Sequence, residues 1–209
     1  MSASPASWPW LSPRPLTLAS GSATRAAMLR AAGIRFNVVK PDVDERAIEQ
    51  PLRDRGVNAI DRALALALAK ALNASESNRD DLVLGADQTL EAAGHPGTKA
   101  SDRAEAKRFL QALSGRKHHL HSAATFARDG VLLFSCVETA ALHMRELSDS
   151  YIEAYLDRAG ADALASVGCY RIEEFGAHLF ERIDGDHDVI LGLPLARSLS
   201  FLRRIGWVA

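Results

Sequence analysis

The chain has 209 residues, 47% of them apolar, with 25 Lys and Arg against 26 Asp and Glu for a formal net charge of −1. This is enough for one substantial core, or two small lobes of a single domain, and too apolar for a disordered chain. The charge balance excludes a polycationic surface, so sequence-independent binding to a nucleic-acid polymer is not expected. No apolar run approaches the ~18 residues of a membrane span, so no membrane partner is expected. Cys136 and Cys169 lack metal-ligand spacing and read as free thiols of a reduced cytoplasm. The opening MSASPASWPWLSPRP has neither the basic segment nor the apolar core of a signal peptide. Residues 1–14 are expected to form a flexible tail, or to pair with another element, and residues 15–209 to form one domain.

Leu16–Ala19 reads as a short apolar strand running into Ser20-Gly21-Ser22 and then a helix, with Ser22 as its N-cap and Gly33 ending it. A second strand, Phe36–Lys40, stops at Pro41 and spills into Asp42-Val43-Asp44-Glu45. Bare amides and Arg25 at a helix N-terminus suit phosphate, and carboxylates beside them suit a divalent cation. A serine-glycine turn and a solvated acidic loop also occur in ordinary α/β units, so this stretch alone leaves both readings open.

Asn58–Ala74 reads as a helix whose apolar stripe is Ile60, Leu64, Leu68 and Leu72, with Lys70 off the stripe and solvated. Leu82–Asp87 is a buried strand, and Asp87 stands at its C-terminal end, where open α/β sheets bind ligands. Gly94–Ala100 is a loop carrying Lys99, and Ser101 caps a helix through Leu113 with Ala104, Phe109, Leu110 and Leu113 inward. Lys117–Arg128 and Val131–Leu147 form a hairpin about Asp129-Gly130. Ser148 and Asp149 cap a helix over Tyr151–Arg158; short strands with glycine turns follow, then a helix from Pro194 to Ile205. His118, His119 and His121 invite a metal reading, but strand alternation separates His118 from the other two and no carboxylate partner is evident. The pattern fits one α/β domain with a mixed sheet.

At Leu18-Ala19-Ser20, Ser22, Arg25, Pro41 to Glu45, Leu68 to Ala71, Gly85-Ala86-Asp87, Lys99, Leu113-Ser114-Gly115 and Gly192 to Leu195, the chain resembles the Maf family of nucleoside-triphosphate pyrophosphatases. The resemblance implies an α/β fold similar to the inosine-triphosphatase type, with an elongated, bent mixed sheet flanked by helices around a central cleft, in this family often as a homodimer. It implies hydrolysis between the α- and β-phosphates of a nucleotide with Mg²⁺ or Mn²⁺. By position Asp87 is the implied general base, or a metal ligand, or both, and Glu45 is a second metal ligand. Ser20, Ser22, Arg25, Lys70 and Lys99 are implied to bind the phosphates. The chemistry needs these types: a carboxylate to take water's proton, and cations to offset about four negative charges on a triphosphate. Arg25 would grip phosphate oxygens in two places.

Specificity is read from Thr24, Gln88 and Glu173. The TTP/UTP-type members have arginine, threonine and glutamine there, and Gln88 and Glu173 resemble instead the branch that hydrolyses 7-methyl-GTP. That branch has a tryptophan at the Thr24 position, so one of the three markers departs. A carboxylate at Glu173 suits the N1–H and 2-amino donors of a cationic 7-methylguanine, whereas an amide suits thymine or uracil. The alternatives are a dTTP/UTP pyrophosphatase and, from a different class, a non-enzymatic nucleotide-binding regulator of cell division.

Overall fold

The computed structural model describes residues 8–94 and 97–209. The chain enters the sheet at β1 (Leu16–Ala19), crosses α1 (Ala23–Ala31) and returns through β2 (Phe36–Val39). Ser22 caps α1 as its sequence predicts, its hydroxyl accepting the Arg25 backbone N–H at 3.3 Å. The acidic stretch is not simply a loop, because Asp44 caps a helix, α2 (Glu45–Asp54), by accepting the Ala47 N–H at 3.0 Å. Pro51 lies inside α2, which is why the local pattern conceals this helix.

Next come α3 (Ala59–Ser77), β3 (Val83–Glu91), α4 (Arg103–Leu113), β4 (Lys117–Arg128) and β5 (Val131–Met144). The strand expected to end at Asp87 runs on to Glu91, because Thr89 and Leu90 are buried as well, so Asp87 lies within β3 and not at its C-terminal end. Asp102, not Ser101, caps α4; Ser101 instead donates to the Glu105 carboxylate, and Ala106 rather than Ala104 faces inward. The Asp129-Gly130 turn joins β4 to β5 with positive φ at both residues, 53° and 74°, as a tight hairpin requires. Then follow α5 (Asp149–Ala159), α6 (Ala161–Leu164), a 3-10 turn (Phe175–Leu179), β6 (Phe180–Asp184), α7 (His187–Ile190) and α8 (Leu195–Arg204). Of the short strands expected after Arg158, β6 is the one found among the described residues. The six strands form one mixed sheet in the order β2-β1-β3-β4-β5-β6. Leu18 of β1 lies opposite Val38 and Leu84 in parallel ladders, while β6 runs antiparallel to β5. No described helix is long and apolar enough to cross a membrane.

The contacts divide the α/β fold into two compact units. The first comprises the chain up to Gln88, Ser122–Glu138 and Leu191–Ala209, with a core around Leu18, Leu29, Leu84, Phe126 and Phe201. Residues 8–14 belong to it and are not a tail. Trp10 is 1% exposed, pairs with Val208 and packs edge-on against Trp207 at 5.5 Å, so these residues are the pairing partner. Residues 1–7 of the expected tail lie outside those described. The second unit, Thr89–His121 and Thr139–Ile190, buries Leu110, Leu113, Leu142, Ile152 and Leu156. Cys136 and Cys169 are buried and free, and burial pushes their thiols up to about 11 and about 12.

The orientation of α3 corrects the expected stripe. Its buried face is Ala63, Leu66, Ala67, Lys70, Ala71 and Ala74, whereas Ile60 is exposed and Leu64, Leu68 and Leu72 are only partly buried. Small side chains face inward because α3 approaches β3 very closely at Gly85. A Cβ there would stand 2.3 Å from the Ala67 carbonyl oxygen and 2.6 Å from the Ala71 nitrogen. Both are backbone atoms, so relief requires moving the helix. Gly85→Ala is therefore expected to destabilise the protein by roughly 3 kcal/mol, the upper end of overpacking costs. Denaturant unfolding measures this, and a loss below about 1 kcal/mol would mean that α3 backs off freely.

Candidate active site

Side chains of a strand alternate, so Gly85 and Asp87 share the face of β3 that α3 covers. Ala67 and Ala71 bracket Gly85, and this places Lys70 of the same helical face against Asp87. Its Nζ donates to Asp87 Oδ1 at 2.6 Å and lies 2.9 Å from Glu45 Oε1. Glu45 reaches that ammonium because the Asp42 N–H donates to Asn73 Oδ1 of α3 at 2.9 Å, tying down the segment that leads into α2. Lys70 is therefore buried, not solvated as its place off the leucine stripe suggests. The signal that finds it is the alanine series 63, 67, 71 and 74, which marks the inward face of α3.

Asp87 is only 8% exposed. Burial raises its pKa above the ordinary aspartate value, and the charges of Lys70 and then Arg25 oppose that rise. The carboxyl thus takes a proton more readily than a solvated one while two cations face its ionised form.

Arg25 is buried behind the serine-glycine turn. Its Nε donates to the Gly192 carbonyl at 2.7 Å, and Nη1 donates to the Ala86 carbonyl at 2.9 Å and to Ser20 Oγ at 3.2 Å. The two-point grip on phosphate expected of Arg25 is thus not what its committed nitrogens offer. Ser20 Oγ also accepts the Ser22 N–H at 3.2 Å, so both its lone pairs are engaged and its O–H is left to donate. Of the amides expected to be bare, those of Ser22 and Arg25 are used locally, by Ser20 Oγ and Ser22 Oγ. Space opens above the turn, with no atom within 4 Å of where a Gly21 Cβ would stand.

Ser20, Ser22, Arg25, Glu45, Lys70 and Asp87 all lie in the first unit, and five of them, all but Ser22, converge through side-chain contacts or charge. Thr24 is half-buried in the first turn of α1, and Gln88 donates to Ser122 Oγ at 3.1 Å. In the second unit Lys99 is exposed, and Glu173 is ion-paired with Arg171 at 3.2 Å. His121, taken as a strand residue without a carboxylate, has one: Nε2 lies 3.1 Å from Glu91, with Nδ1 2.8 Å from Thr139 Oγ1. His118 is buried against Tyr170, its Nε2 2.7 Å from the phenol oxygen. All three histidines lie on β4, and no group of three or more His, Cys, Asp or Glu gathers to hold a metal among the described residues. Glu45 and Asp87, which flank one ammonium, are a donor set that fits a hard divalent ion. Such an ion takes one or two carboxylates and fills its shell with water and phosphate oxygens.

The family described as Maf-like protein matches residues 15–205. The chain belongs to the Maf family. A nucleoside triphosphate pyrophosphatase of Nitrobacter hamburgensis is 47% identical to it over 198 residues, 94% of this chain and 96% of that protein. A 7-methyl-GTP pyrophosphatase of Mesorhizobium japonicum is 50% identical over 191 residues, 91% of this chain and 96% of that protein. Among solved structures, a HAM1 protein from Coxiella burnetii is similar over 62% of this chain and 72% of that one, at 18% identity and a TM-score of 0.44.

The buried Lys70–Asp87 pair yields a stability test. Lys70→Met strands a buried carboxylate, a change expected to cost about 3 kcal/mol near pH 8. The folded pKa of Asp87 lies above its unfolded value, so its contribution to stability is present at acid pH and lost as pH rises through the folded pKa. The cost of Lys70→Met should therefore shrink toward pH 5. Denaturant unfolding at both pH values checks this, and a pH-independent cost would separate Lys70 from Asp87.

Proposed function

We propose that this chain is a nucleoside-triphosphate pyrophosphatase that cleaves the bond between the α- and β-phosphates, releasing a monophosphate and pyrophosphate. The observation that carries the reading is a buried Asp87 bonded to Lys70, which also faces Glu45. The relatives named above, matched over nearly their whole length, support it.

Water is a poor nucleophile at neutral pH, and Asp87 is the carboxylate placed to take its proton as the oxygen attacks the α-phosphorus. The new P–O bond forms as the bond to the bridging oxygen breaks, and pyrophosphate leaves with that electron pair. Ser20 donates its O–H to a phosphate oxygen, while Lys70 and the charge of Arg25 offset the triphosphate. Lys99, in the second unit, is assigned to the phosphates by family position alone. Mg²⁺ or Mn²⁺, held by Glu45 and Asp87, would supply charge neutralisation at the phosphoryl oxygens. A regulator that merely binds nucleotide has no use for a carboxylate buried against a lysine, so the enzyme reading is preferred.

For the substrate we propose 7-methyl-GTP, supported by the name of the Mesorhizobium relative and by the carboxylate at Glu173. Arg171 holds that carboxylate by Nε and Nη2 at 3.3 and 3.2 Å, which limits its rotation.

Pyrophosphate release from a panel of nucleotides with Mg²⁺ and Mn²⁺ tests the activity. Asp87→Asn should keep the far-UV spectrum of the wild type and lose about 10²–10⁴-fold in turnover. Because Asp87 works ionised and burial raises its pKa, the acid limb of kcat/KM should lie above the ordinary aspartate range. Activity of Asp87→Asn within a few-fold of wild type would remove the base. Glu173→Gln should lower the 7-methyl-GTP to UTP preference by about tenfold, within the ~1–3 kcal/mol of a well-made pair. An unaltered preference would remove the specificity assignment.

A further inference from the structure

Arginine presents two two-pronged edges to an anion, and each combines Nη2 with either Nε or Nη1. In this chain the single proton of Nε goes to the Gly192 carbonyl, and the two of Nη1 go to the Ala86 carbonyl and Ser20 Oγ. Neither edge is open to phosphate. The partners are themselves informative. The Ala86 oxygen belongs to the planar peptide whose nitrogen is that of Asp87, so holding it sets the direction in which the Asp87 side chain leaves the strand. Ser20 Oγ is the hydroxyl assigned above to a phosphate oxygen. Gly192 supplies the third anchor at φ +99°, and a Cβ there would stand 3.3 Å from both Nε and Nη2. A side chain at that position would press on the guanidinium in a backbone conformation that already favours glycine.

We infer that Arg25 and Gly192 are a positioning pair, with the guanidinium fixing the Ala86–Asp87 peptide and the Ser20 hydroxyl instead of gripping the triphosphate. This rests on the pyrophosphatase reading. The role calls for arginine: a planar fork reaches carbonyls on separate strands and loops at once, whereas a lysine ammonium donates from one point. It also gives a use to Gly192, which offers no side chain to a ligand.

The test compares wild type, Arg25→Lys and Gly192→Ala. Steady-state kinetics on the preferred triphosphate are combined with calorimetric binding of inorganic pyrophosphate and of an α,β-methylene triphosphate. A misaimed base costs turnover more than affinity, so kcat should fall about 10²-fold in both variants while KM stays within about threefold. Affinity for the two probes should stay within the same threefold. The inference is overturned if Arg25→Lys weakens the probes or raises KM by about tenfold, as losing a phosphate ligand does, or if kcat is unchanged. If Gly192→Ala gives no folded protein, Arg25→Lys decides alone, with its thermal transition recorded alongside. A wild type without turnover on any triphosphate removes the pyrophosphatase reading itself, a result distinct from active wild type with altered probe binding.

Discussion

The close approach of α3 to β3 at Gly85 is the constraint on which the first unit depends. It is possible only because a glycine faces Ala67 and Ala71, and it carries Lys70 into a place from which water is largely excluded. An ammonium and a carboxylate removed from water each carry a desolvation cost, and their mutual attraction commonly does no more than offset it. A pair of apolar residues of like size would serve the fold as well. The ion pair therefore points to chemistry, and the second carboxylate, Glu45, sits on the same ammonium at the exposed side.

The electrostatic design follows from that placement. Asp87 has a raised pKa because burial outweighs the two cations that face it, which leaves its ionised form less comfortable than a solvated aspartate and a better proton acceptor. A triphosphate entering such a site needs its charge matched by neighbours already in position, so that little reorganisation accompanies the reaction. Lys70 and Arg25 are both preorganised in this sense, Lys70 by the helix that carries it and Arg25 by three acceptors. Their roles nonetheless differ. Lys70 touches the Asp87 carboxylate, while Arg25 is turned toward the Ala86 and Gly192 carbonyls.

Much of the site was legible before any coordinates. Ser22 announces itself as a cap because a hydroxyl must meet the unpaired amides of a first turn. Asp87 stands out as a charge in an apolar run, although β3 continues to Glu91 and Asp87 lies inside the strand and not at its end. The Asp129-Gly130 hairpin and the cap at Ser148 were likewise readable from local chemistry. The failures have a common cause. Leucines spaced four apart along α3 drew the stripe to the wrong face, since the inward face was chosen by how near the sheet could come and not by side-chain size. The Glu91 partner of His121 comes from another strand, thirty residues away in sequence. Trp10 is buried because Val208 and Trp207, at the other end of the chain, close over it.

The sequence by itself determined the α/β class, most element boundaries, and through a run of spaced motifs the Maf membership and the chemical types at the site. These are local matters, settled by turns, caps and the order of residues along the chain. Only the tertiary structure decided that Lys70 is buried between two carboxylates, that α2 begins at Glu45, and that Arg25 spends its donors on Gly192, Ala86 and Ser20. Each of those depends on groups far apart in sequence competing for the same hydrogen bonds and the same dry space, a competition that no local pattern encodes.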